Sequence, residues 1–140
     1  MEMRMASRKH FTASEDDFLD LVSQVYDASL DASRWNTTLQ SIAEFLLAEQ
    51  INLRIIDQKN RNVNLYYFHN RDPYWVQVYK NYYYQIDPWI DVLDNSIACT
   101  NQILSDREYR NLEIYNEYIV PTNGHFGMGG LVNVNDEINI

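Results

Sequence analysis

Apolar side chains recur at helical spacing from the start of the ordered pattern: Phe18, Leu21, Val22 and Val25, continued by Ser29. Thr12 and Glu15 have the form of a capping box in front of them, so residues 13–30 are predicted as a helix. After a break at Asp31–Ser33, Trp35, Leu39, Ile42 and Leu46 fall on one stripe, which predicts a second amphipathic helix ending near Ala48. Ile51, Leu53 and Ile55 then alternate with polar or charged neighbours. Val63, Leu65 and Tyr67 do so again beyond the polar stretch Asp57–Asn62, the pattern of a β-hairpin.

Asp72 followed by Pro73 is a cap residue with proline at the first helical position, and opens a helix over 72–84. That helix carries an aromatic stripe: Trp75, Tyr79, Tyr82 and Tyr83. Asp87-Pro88 repeats the device, ending one helix at Ile86 and starting a short one from Trp89 to Leu93. Ser105 and Glu108 form a further capping box, before a helix with Tyr109, Leu112, Tyr115 and Ile119 on one face as far as Pro121. All of the chain's glycine (Gly124, Gly127, Gly129, Gly130) follows, read as a turn or bulge beside a strand through Leu131, Val132 and Val134. The order of elements predicts an α+β fold with three evident strands. Such a thin sheet is expected to be incomplete, needing a partner or residues beyond Ile140.

Length and composition refine this picture. The 140 residues suit one domain, with 46% hydrophobic and 22% charged residues as in ordinary globular proteins. The domain is expected over 13–140. Residues 1–12, with Arg4, Arg8, Lys9 and His10, read as a solvated, flexible tail. The formal charge of -9 would repel a nucleic-acid duplex, so no direct nucleic-acid contact is expected. No apolar run suits a membrane span or signal peptide, which excludes a membrane partner at this level and makes a cytoplasmic location the default. Cys99 is the lone cysteine, so the chain forms no internal disulfide, and it reads as a small buried or half-buried residue.

Nothing in the sequence assembles an enzyme. His10, His69 and His125 are far apart without metal-ligand spacing, and Cys99 has no basic neighbours. The glycine cluster lacks a following Lys-Ser/Thr and leads into a strand, so neither a phosphate loop nor any cofactor is expected. Eleven tyrosines, each a flat apolar body with a polar tip, suit a pocket or an interface. Trp75, Tyr79, Tyr83, Asp87 and Trp89 are the candidate ligand-binding residues, able to supply flat walls and a polar group for a small-molecule signal. Two alternatives stand beside this: the stripe is core, and Asp87 is a helix N-cap.

Trp75-x-x-x-Tyr79 and Tyr83-x-x-x-Asp87-Pro88 resemble the aromatic and Asp-Pro motif in the sensing domains of LuxR-type transcriptional regulators. Ile114-Tyr115-Asn116-Glu117-Tyr118 with Pro121 and Gly124–Gly130 is similar to the helix-to-strand region of a subgroup whose sensing half is GAF- or PAS-like. Tyr26-Asp27-Ala28-Ser29-Leu30-Asp31 and Trp35 are similar to that subgroup's start. The resemblance spans residues 14–134. It implies an α/β/α sandwich, ligand-controlled homodimers or heterodimers, and a C-terminal helix-turn-helix that this chain lacks. Arg71 stands where acyl-homoserine lactone receptors of the family carry a tyrosine, and no tryptophan follows Trp89, so a different ligand or none is expected. The alternative is a protein-interaction module that pairs with a full-length regulator or another partner without ligand.

Overall fold

A computed structural model describes residues 13–57, 59–60, 62–91, 96–135 and 138–139. The expected tail, residues 1–12, lies outside them, as do Leu93 and the Thr12 half of the first expected capping box.

Helix α1 (Glu15–Leu30) begins on a box two residues later than expected. Ser14 Oγ accepts from the Asp17 N–H at 3.1 Å, and Asp17 Oδ2 accepts from the Ser14 N–H at 3.0 Å. Asp31 ends the helix and caps a 3-10 turn (Ala32–Arg34), which leads into α2 (Trp35–Leu46). The two helices pack together, burying Ala28 on α1 with Leu39 and Ala43 on α2.

Strands β1 (Ile51–Asp57) and β2 (Asn62–His69) pair antiparallel, with Leu53 opposite Tyr67 and Arg54 opposite Tyr66. Side-chain alternation sends those two pairs to opposite faces. On the first face α2 covers the hairpin, with Trp35 stacked on Tyr67 at 6.0 Å. On the second, Tyr66 meets Tyr79 of α3 (Pro73–Asn81) edge-on at 5.8 Å. Both faces of the hairpin therefore carry helix, and Arg54, although polar, faces an aromatic layer.

After α3 come two 3-10 turns, Tyr83–Gln85 and Pro88–Asp91. A two-stranded ribbon pairs β3 (Ser96–Cys99) with β4 (Met128–Leu131). Cys99, expected to be at least half-buried, is exposed at the end of β3. Between the two strands run α4 (Thr100–Ile103) and α5 (Asp106–Arg110), the latter on the expected Ser105–Glu108 box. The helix expected to continue to Pro121 breaks at Asn111–Leu112 and resumes with a wider winding: Tyr115–Ile119 is π-helical. The Val120 N–H donates to the Tyr115 carbonyl at 2.9 Å. The Asn116 side-chain amide closes the break by donating to the Arg110 and Leu112 carbonyls, each at 2.9 Å.

The chain then returns to the first sheet through β5 (Asn133–Asn135) and β6 (Ile138–Asn139), giving the strand order β2-β1-β6-β5. The fold is α+β as expected. The three evident strands become six among the described residues, because the chain's own end supplies β6, which pairs with β1, and β5, which pairs with β6, while β3 pairs with β4. The glycine-rich stretch is strand where a turn or bulge was expected: Gly129 and Gly130 lie within β4, and none of the glycines has positive φ. Gly130 is there for close approach, since a Cβ would come within 2.8 Å of the Ser96 carbonyl oxygen. The core joins Ile56, Val63, Tyr79, Tyr83, Tyr84, Ile114 and Tyr118.

Candidate functional site

Four of the five candidate residues meet in one cluster, with Tyr118 at its centre. The Tyr118 ring lies 5.9 Å from Trp75, 5.4 Å from Tyr79 and 5.2 Å from Tyr83, centroid to centroid. Ring pairs at such separations add to the burial of their apolar area. The helix expected over 72–84 ends at Asn81, which leaves Tyr82 exposed and puts Tyr83 on the next 3-10 turn; Tyr79 and Tyr83 are buried and Trp75 is half-buried, so α3 and that turn together form a packed wall. The π-helical winding of Tyr115–Ile119 turns Tyr118 into this wall while burying Tyr115 beside it.

Asp87 is the polar end of the cluster. Its Oδ2 accepts from the Tyr79 hydroxyl at 2.6 Å and from Arg54 Nη1 at 3.0 Å, and its Oδ1 accepts from the Trp89 N–H at 2.9 Å. Asp87 is thus both the N-cap of the 3-10 turn at Pro88 and the buried counter-ion of a strand arginine. The Arg54 guanidinium also donates to the Tyr79 hydroxyl and lies 4.8 Å from the centre of its ring. The pair is well shielded, with side chains 22% and 7% exposed for Arg54 and Asp87.

Electrostatics follow from that shielding. Burial opposes the charge on Arg54, but the Tyr79 and Asp87 oxygens outweigh it and hold the guanidinium above its ordinary value. Burial pushes the Tyr79 phenol well above its ordinary value, and Asp87 adds to this against the pull of Arg54. Tyr109 is pushed up to about 12 by burial, then by the charge of Asp87. The network joins the Arg54 guanidinium, the Asp87 carboxylate and the Tyr79 phenol, each satisfying the others. Its contacts orient the Tyr79 hydroxyl and place the Asp87 carboxylate against the Arg54 guanidinium.

A second arginine repeats the pattern. Arg71 Nη1 donates to the Tyr118 hydroxyl at 2.5 Å and Nη2 to Gln50 Oε1 at 2.7 Å, with the guanidinium 5.4 Å from the Tyr118 ring centre. Trp89, the fifth candidate, points elsewhere: it lies against the ribbon, where a Cβ added to Gly127 or Gly129 would meet its ring at 3.6 or 3.4 Å.

Arg54 and Tyr118 were not among the sequence candidates. Arg54 sits in a hydrophobic-polar alternation that reads as solvent-facing, and the one available signal was an arginine inside a strand opposite a buried Asp-Pro motif. Among the described residues no group of three or more His, Cys, Asp or Glu could hold a metal ion, and no helix is long and apolar enough to cross a membrane. No protein-family model matches the chain, and no curated protein or solved structure matches it either.

Proposed function

We propose that the chain is the regulatory, sensor-like part of a LuxR-type transcriptional regulator, with a GAF- or PAS-like sandwich that controls association. What supports this reading is the convergence of the motif behind the resemblance: Trp75, Tyr79 and Tyr83 share the Tyr118 ring, and Tyr79 carries the chain of contacts to Asp87. Asp87 has both carboxylate oxygens engaged by the protein itself, so a signal entering at Trp75, Tyr79, Tyr83 and Asp87 must displace Arg54. That step couples occupancy to the position of β1, an inner strand of the four-stranded sheet, and so to the shape of the domain. Native mass spectrometry of the purified chain tests the reading: a dimer carrying a retained small molecule is expected, and an empty monomer at all concentrations would contradict it.

A second reading, a protein-interaction module without ligand, is favoured by the outward apolar side of α1. Phe18, Leu19, Tyr26 and Leu30 are exposed there, Tyr26 by 69% and Leu30 by 90%. Helix α1 carries five acidic residues and neither lysine nor arginine, so a second copy of α1 would set like charges together. The occupant that fits is a basic amphipathic helix of a partner protein. Tyr26→Ser with Leu30→Ser should abolish capture of a basic amphipathic peptide while leaving the circular dichroism spectrum unchanged; unaltered capture would remove this reading.

A further inference from the structure

We infer that the cleft bounded by α4, α5 and the His125–Phe126 segment binds a single-ring aromatic molecule with one hydrogen-bonding substituent, of phenol size. This goes beyond the regulatory reading, because a ring held there requires no LuxR-type output. The cleft has a volume of about 190 Å³. A cavity of about 150 Å³ is enough to hold benzene, so this one accommodates one ring and a substituent.

Its walls are aromatic and apolar: Leu104, Tyr109, Tyr115 and Phe126. Tyr109 and Tyr115 meet edge-to-face, 4.9 Å between centroids and 65° between planes, and so form a corner against which a third ring can lie flat on one and edge-on to the other. Phe126, at the rim, is 89% exposed. A ring in the cleft would cover that phenyl face, which is otherwise left to water.

Polar side chains complete the lining: Thr100, Asn101, Asp106, Arg110 and His125. The Tyr115 hydroxyl and His125 Nδ1 are hydrogen-bonded to each other at 3.3 Å, which occupies the ring nitrogen and leaves the hydroxyl one further site for a substituent, an acceptor if it donates to Nδ1 and a donor if it accepts from it. Arg110, 5.9 Å from the Tyr115 ring centre, is neutralised by Asp106 at 2.9 Å, so the site favours an uncharged ligand. The rim is already fixed: Thr100 takes the Gly127 N–H on its hydroxyl at 2.9 Å and gives its own N–H to the Gly127 carbonyl at 3.0 Å. A preformed wall of this kind loses little entropy when the ring enters.

The test is a phenol titration of the full nitrogen-labelled chain, followed by backbone amide shifts in NMR spectra. Saturable shifts gathered at residues 100–110 and 115–126 are expected, with cyclohexanol binding more weakly because it lacks a planar ring. Phe126→Ala, at an exposed position that spares the fold, should weaken phenol by at least about fivefold. Tyr115→Phe, which keeps the wall but removes the hydroxyl, should also weaken it. Shifts centred on Trp75, Tyr79 and Tyr83, shifts that never saturate, or equal binding of cyclohexanol would overturn the inference.

Discussion

Arg71 donates to the Tyr118 hydroxyl at 2.5 Å and thereby ties the segment after β2 to the π-helical turn 47 residues further along. The tie extends through Gln50, which accepts from Arg71 at 2.7 Å and donates to the Thr122 carbonyl at 2.7 Å. Arg71 is therefore a structural clamp on the central ring of the aromatic cluster. Arg71→Met removes the charge-assisted bonds but keeps the aliphatic stem, and should cost about 1.5–3 kcal/mol in urea unfolding. Arg71→Lys should recover only part of this, since one ammonium cannot reproduce the planar fork.

The buried phenols make the fold sensitive to alkali. Tyr79 and Tyr118 are held above their ordinary value of 10.0, chiefly by burial, and Tyr109 is pushed up to about 12. A raised phenol binds its proton more tightly folded than unfolded, so its contribution is complete below pH 10 and is lost as pH rises toward and past the folded value. Stability measured by thermal unfolding should therefore be flat on this account through neutral pH and fall steadily above pH 10. A profile unchanged up to pH 12 would show these phenols to be accessible.

Gly130 within β4 and Gly127 just before it should respond unequally. Gly130→Ala places a methyl 2.8 Å from the Ser96 carbonyl oxygen, so β3 and β4 must separate. Gly127→Ala meets Thr100 and Trp89 at 3.5 and 3.6 Å, ordinary contact distances. The first should lose about 1–3 kcal/mol and the second less than about 0.5 kcal/mol, compared by chemical unfolding.

Much of the first half was legible because each helix has a stripe, a cap or a Pro-linked start: α1, α2, the hairpin and α3 all lie close to their expected spans. Arg54 was not legible. Strand alternation assigns a polar residue to solvent when one face is buried, and here both faces are covered, so the arginine is turned toward Asp87. The spacing of Tyr109, Leu112, Tyr115 and Ile119 reads as a single helical face. The break at Asn111–Leu112 and the π winding shift the frame, so that Tyr115 and Tyr118 are both buried. Strands β3 and β6 are four and two residues long, too short for any periodicity, and exist through pairing with the distant β4 and β1. The shared face of Trp75 and Tyr79 could be anticipated from their helical spacing; Tyr83 and Asp87 join them from beyond the end of α3, and Trp89 lies elsewhere because the Pro88 turn redirects the chain.

The central claim is that the aromatic and Asp-Pro cluster closes on itself through Arg54 and Asp87, and a double-mutant cycle on that pair tests it most directly. Urea unfolding of Arg54→Met, Asp87→Asn and the double variant would be compared with the parent chain. Each single change strands a buried charged or polar group and should cost about 3 kcal/mol, while the double change should cost little more than either alone, a coupling of about 2 kcal/mol or more. Additive losses, or an Asp87→Asn chain as stable as the parent, would mean that Asp87 is free for an incoming ligand and that the closed network is not what holds the domain together.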